Sequence, residues 1–126
     1  MSSLISRRTD FKRRAIQSSH NFFFRKLSVN PDDVYVTVFR GDKDIPLDKE
    51  SIQLWRELGI PDKNIRMGGR EENWWGPSTK TGLCGPMTEI YVDDVKVWSI
   101  VFNEYVKDAD GIFSKSGPLD STTAKG

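Results

Sequence analysis

The chain has 126 residues, 37% hydrophobic and 29% charged, with a formal net charge of +1. That is enough for one small core, and it sets up no global field that would recruit nucleic acid. One cysteine excludes an internal disulfide framework, and one cysteine with one histidine leaves no Cys/His set for zinc. No apolar run nears the ~20 residues of a membrane-spanning helix, and no apolar segment of a secretory signal follows the basic start. A single domain over 1–126, with no membrane partner and a cytoplasmic location, is therefore expected.

Residues 1–9 read as loose chain. Asp10 is placed to cap a helix from Phe11 to about Leu27. Arg7, Arg8, Lys12, Arg13, Arg14, Arg25 and Lys26 face one acid, Asp10, in this stretch. They suit a solvated helix face, with a phosphate-facing helix as the alternative. Asn30-Pro31-Asp32-Asp33 is a turn, and Val34 to Phe39 is a strand by its β-branched and aromatic content. Asp48 caps a second helix, Lys49 to Leu58, with Ile52, Trp55 and Leu58 as its buried stripe; Gly59 and Pro61 stop it.

Asn64 to Met67 suits a short strand, followed by a loop from Gly68 to Pro86. Thr88 to Val92 and Val95 to Val106 are two strands joined at Asp93-Asp94. Side chains alternate between the faces of a strand. Trp98, Ile100 and Phe102 therefore make a bulky face for helices, while Val97, Ser99, Val101 and Asn103 make a small one with room for something else. Asp110-Gly111 is a turn, and 114–126 reads as an irregular tail. The fold class is α+β, a mainly antiparallel sheet flanked by helices.

The chemistry concentrates in Asn73-Trp74-Trp75-Gly76-Pro77, Thr81-Gly82-Leu83-Cys84-Gly85-Pro86 and Thr88-Glu89-Ile90-Tyr91. Each indole can bury about 150–250 Å², so two on a loose loop would be costly. Glycines and prolines shape that loop into a rim around a small ligand; the competing reading puts both tryptophans in the core. Cys84 has no histidine nearby to activate it and reads as a packed residue. His20 sits among aromatics and reads as structural. Glu89 and Asp93 share a strand face about 13 Å apart, too far to share one ion directly. Asp120 signals nothing alone, and no P-loop or dinucleotide fingerprint is present.

The segment resembles the signature loop of alanyl-tRNA synthetases, where N-[FW]-W precedes T-G-P-C-G-P-x-[ST]-E. The resemblance extends over 11–113 and weakly to 120. It takes in Phe11 to Ile16, Val34 to Phe39, Leu54 to Pro61, Val97-Trp98-Ser99-Ile100-Val101-Phe102 (similar to I-W-N-L-V-F) and Ala109-Asp110-Gly111. It implies part of a class II synthetase catalytic domain, with alanine, ATP, Mg²⁺ and tRNA(Ala) as cofactors and partners and no zinc in this segment. By resemblance the alanine pocket is Trp75, Ser99, Val101 and Asp120, and Thr81, Gly82, Gly85 and Glu89 belong to the signature loop.

Three departures bear on activity. The family's Asn becomes Ser99, its usual Met-Gln becomes Asn103-Glu104, and 120–126 lacks the glycines and arginine of motif 3. Motifs 1 and 2 have no counterpart here, so the arginine that clamps the ATP α-phosphate is missing. The expectation is a catalytic-domain fragment inactive alone, unless a complementary chain carries motifs 1 and 2. The alternatives are a non-catalytic module binding a small amino acid, an adenylate or RNA, and a remnant without function.

Overall fold

The computed structural model describes residues 3–76, 82–115 and 122–125. Helix α1 spans Ser3–Asn21 and runs into a π-turn, Phe22–Lys26. Asp10 therefore lies inside the helix and not at its start. No glycine or proline interrupts 3–26, so the helix propagates through the stretch expected to be loose. Leu27 N donates to Phe22 O at 3.0 Å, and Ser28, at φ 54°, leaves the helical path.

Strand β1 is Val34–Phe39 and helix α2 is Lys49–Glu57. Asp48 caps α2 by accepting from Ser51 N, as its position implies. Ile52 and Trp55 are buried as expected, joined by Leu54; Leu58 is half-buried. Gly59, at φ +96°, provides the left-handed stop that a residue with a Cβ adopts at a cost. Strand β2, Ile65–Gly68, returns parallel to β1, so β1-α2-β2 is a crossover unit within an otherwise antiparallel sheet.

The expected loop 68–86 holds more structure than its glycines suggest. Helix α3 is Arg70–Asn73, β3 is Trp74–Trp75, and β4, Gly82–Val92, starts six residues before Thr88. Strand β5 is Val95–Phe102, joined to β4 through Asp93 and Asp94, both at positive φ (52° and 65°). Such a two-residue turn matches the right-handed strand twist. The expected strand to Val106 breaks at Asn103-Glu104, because Glu104 N turns back to Phe102 O at 2.8 Å. Strand β6, Tyr105–Lys107, then resumes against the start of β4. The tail expected to be irregular contributes β7, Phe113–Lys115, paired to β6, and β8, Thr122–Lys125, paired to β5.

The principal sheet order is β2-β1-β4-β5-β8, and β3 and β6 also pair with β4. Helices α1 and α2 cover one face. Ile16, Phe23, Ile52 and Trp55 there meet Val36, Val38, Ile90, Ile100 and Phe102. The face contrast in β5 holds from Trp98 to Phe102, but Val97, expected on the small face, packs against the helix-backed core. Phe23 meets Trp98 edge-on, with centroids 6.4 Å apart, and Ile100 and Phe102 lie in the helix-backed core. Ser99 and Val101 lie outside that core.

Among the described glycines, Gly85 has the closest neighbour. A Cβ there would collide with the Phe102 carbonyl and come within 3.0 Å of Glu104 N. Both neighbours are backbone and cannot swing aside. Gly85→Ala should therefore cost about 3 kcal/mol or more, read as a fall in the urea midpoint at unchanged slope.

Candidate functional site

Alternation along β4 sends Thr88 and Ile90 to the helices and Met87 and Glu89 to the other face. On that second face Glu89 lies opposite both Thr37 of β1 and Ser99 of β5, and Met87 lies opposite Val101. The family-derived pocket residues of β5 thus stand beside the family-derived acid of β4. Val101 is 1% exposed and Ser99 8%, so the expected room on this face is filled at these two positions.

The Glu89 side chain is only 4% exposed, and it is held from three sides. Thr37 Oγ1 and Tyr91 Oη each donate to Oε1 at 3.2 Å, and Lys96 Nζ reaches Oε2 at 3.3 Å. A buried carboxylate is tolerated only when paired and hydrogen-bonded in this way. Burial and the adjacent Glu89 charge push the Tyr91 phenol up, so it remains the donor at neutral pH. Tyr91 stacks on Tyr35 at 4.7 Å and 6°, and the Arg66 guanidinium lies 3.6 Å over Tyr35.

Asn73, 1% exposed, ties the tryptophan segment to this network. Its Nδ2 donates to Thr37 Oγ1 at 2.7 Å and to Met87 O at 2.9 Å. From the other side of the sheet, Trp55 Nε1 donates to Thr88 Oγ1 at 2.8 Å, and Thr88 donates to Thr37 O at 2.6 Å. Thr37 is therefore the hub between helix α2, strand β4 and the segment leading to Trp75.

The two indoles differ in burial. Trp74 packs with Phe39, Tyr105 and Phe113 at centroid distances of 5.3 to 5.7 Å, in a second small core. Trp75, paired with Gly85, is 44% exposed. Gly82 opens β4 opposite Lys107. Thr81 and Asp120 lie outside the described residues. Cys84 is buried in the second core, where burial raises its thiol pKa, as suits a packed residue. His20 stacks on Phe24 at 4.4 Å, and burial lowers its pKa. Asp93 occupies the exposed hairpin turn, apart from Glu89.

Two cavities lie elsewhere. One of about 300 Å³ sits between α1 and β5, against Phe22, Phe23 and Trp98. One of about 120 Å³ adjoins Lys12, Asp48 and Glu104. Neither is lined by Trp75, Ser99 or Val101. Among the described residues no group of three His, Cys, Asp or Glu side chains is placed to hold a metal ion.

Sequence reading missed Thr37, Asn73 and the Lys12 cluster as organising residues. The usable signal was a lone threonine in the apolar run Val34-Tyr35-Val36-Thr37-Val38-Phe39. Thr37→Val keeps the shape but strips Glu89 and Asn73 of a partner, and should cost about 2–3 kcal/mol. Chemical denaturation checks this; a cost below about 0.5 kcal/mol would mean that the hub is not used.

Comparison with known proteins shows the family. The family described as tRNA synthetases class II (A) matches residues 6–113. Alanine–tRNA ligase of Treponema pallidum is 40% identical over 121 residues, covering 80% of this chain and 20% of the relative. That of Rubrobacter xylanophilus is 33% identical over 138 residues, with 89% and 15% covered, and that of Borrelia hermsii is 36% identical over 125, with 83% and 21% covered. The chain spans about a fifth or less of the length of these relatives. With most of its length matched, and the matched strands assembled around Glu89, Ser99 and Val101, the chain belongs to the class II (A) tRNA synthetase family.

Proposed function

We propose that the chain is the central part of an alanine–tRNA ligase catalytic domain and carries one wall of the alanine pocket. The observation behind this reading is the register that sets Glu89 against Ser99 and Met87 against Val101, on the face away from the helices. Trp75 supplies the aromatic rim, Ser99 and Val101 the small floor, and Asp120 the carboxylate for the substrate ammonium. Thr81, Gly82 and Gly85 shape the signature loop, and Glu89 holds Thr37, Tyr91 and Lys96 in register beneath it.

ATP, Mg²⁺ and tRNA(Ala) follow as partners of the complete enzyme, in the cytoplasm. The described residues do not form a magnesium site, and both Glu89 oxygens already accept bonds. These 126 residues hold the amino-acid side of the reaction, and the charge-stabilising arginines of motifs 2 and 3 come from outside them, motifs 1 and 2 for example on a complementary chain.

Two measurements test this. The 126-residue chain alone should show no alanine-dependent ATP–pyrophosphate exchange above background, because enzymes accelerate by 10⁶-fold or more and the phosphate-facing groups that supply much of this are elsewhere. Exchange that is abolished by Trp75→Ala would contradict the division of labour. Titration with alanine and with a non-hydrolysable alanyl-adenylate analogue should give saturable amide shifts at Trp75 and Val101, with millimolar affinity, on the order of −4 kcal/mol. Loss of those shifts in Asp120→Asn would support the ammonium contact. No shifts at tens of millimolar ligand would favour the non-catalytic or remnant alternatives.

A further inference from the structure

Lys12 is a buried lysine, with its side chain 2% exposed, between α1 and the sheet. Its Nζ lies 2.7 Å from Asp48 Oδ1, 3.1 Å from Glu104 Oε1 and 3.9 Å from Glu50 Oε1, and 4.7 Å over the Phe102 ring. One ammonium thus meets three carboxylates, two of them nearly fully buried. Asp48 is already committed, accepting from Lys12 and from both the backbone N–H and the hydroxyl of Ser51. Glu104 has one oxygen on Lys12, while Oε2 is buried with no hydrogen-bond partner among the described residues.

Burying an ionised oxygen without a partner is the costliest arrangement available to a carboxyl group. A proton on that oxygen removes the charge, the larger part of that cost, and leaves Lys12 and Asp48 as a neutral pair. We propose that Glu104 takes up a proton at Oε2 in the folded chain, making the Lys12 cluster a clamp between α1, α2 and the β5–β6 junction that tightens as pH falls. The proton comes from solvent, through the cavity of about 120 Å³ that Glu104 lines.

Among the described residues the charged neighbours come from three elements. Lys12 approaches from α1, Asp48, Lys49 and Glu50 from the start of α2, and Lys115 from β7 beside Tyr105. Burial raises the Glu104 carboxyl, with Asp48 and Glu50 adding to it, and outweighs the opposing pull of Lys12. Burial works to lower the Lys12 pKa, but Asp48, Glu104 and Glu50 together raise it, so Lys12 stays charged throughout. For Glu104 the folded pKa exceeds the unfolded one. Its stabilisation is complete below the unfolded glutamate range and is lost as pH rises through the folded value.

The clamp has consequences beyond α1. Glu104 follows Val101 by three residues, and its backbone N lies against Gly85, the partner of Trp75. The family's glutamine at this position would accept from Lys12 without titrating, so the glutamate makes the clamp pH-sensitive in this chain.

Carbon-detected NMR titration of the Glu104 side-chain carboxyl in the 126-residue chain tests the proposal. The expected midpoint lies above the ordinary glutamate value of about 4.3; a midpoint at or below it overturns the proposal. Thermal unfolding of Glu104→Gln against the parent is the second readout. The variant should melt about 4 °C or more above the parent at pH 8, with the difference gone at pH 4. A difference independent of pH, or a variant less stable at pH 8, would contradict the clamp.

Discussion

Everything in this chain is arranged around the pairing of β4, because one strand must satisfy neighbours on both edges and both faces. It pairs with β1 and β3 along one side and with β5 and β6 along the other. Its alternation then decides what each face becomes. Thr88 and Ile90 meet the helices, while Met87 and Glu89 meet the polar face. A one-residue slip would exchange these sets, placing Glu89 under Trp55 and Ile16 at a cost no pairing there would offset.

The polar and apolar faces are also coupled through the strand. The bond from Trp55 to Thr88, and from Thr88 to the Thr37 carbonyl, joins helix α2 to β1. The same Thr37 then serves Asn73 and Glu89 on the opposite face. Fixing α2 therefore also fixes the residues that lead into Trp75. The second core, with Trp74 among Phe39, Tyr105 and Phe113, anchors the other side of that segment. Trp75 can be exposed because its neighbour is not.

Local signals in the chain carried the strands and caps well. Asp48 and Gly59 bracket α2 by chemistry that needs no tertiary context, and β-branched content marks β1. The faces of β5 were legible from Trp98 to Phe102, where size alternates sharply, but not at Val97, which packs with the core. Long-range pairing was not legible. Strand β8 and the early start of β4 are held by partners far away in sequence, and their own residues carry weak strand signals. Asp10 misled because a good cap residue caps only where the helix stops, and uninterrupted helix formers precede it. Alternation and the glycine-rich loop pointed to the site's strand face, but the role of each residue came only through family resemblance; Thr37 and Asn73 emerge from contacts across 36 residues of chain.

Native-state amide hydrogen exchange tests most directly whether β4 organises the fold. If it does, the amides of β1, β4 and β5 around Thr37, Glu89 and Ser99 exchange only through global unfolding, with one common free energy, and Thr37→Val lowers all of them together. Exchange of β4 amides through a separate, lower-energy opening, with α1 and α2 still protected, would show that the helices hold the chain and the strand merely docks.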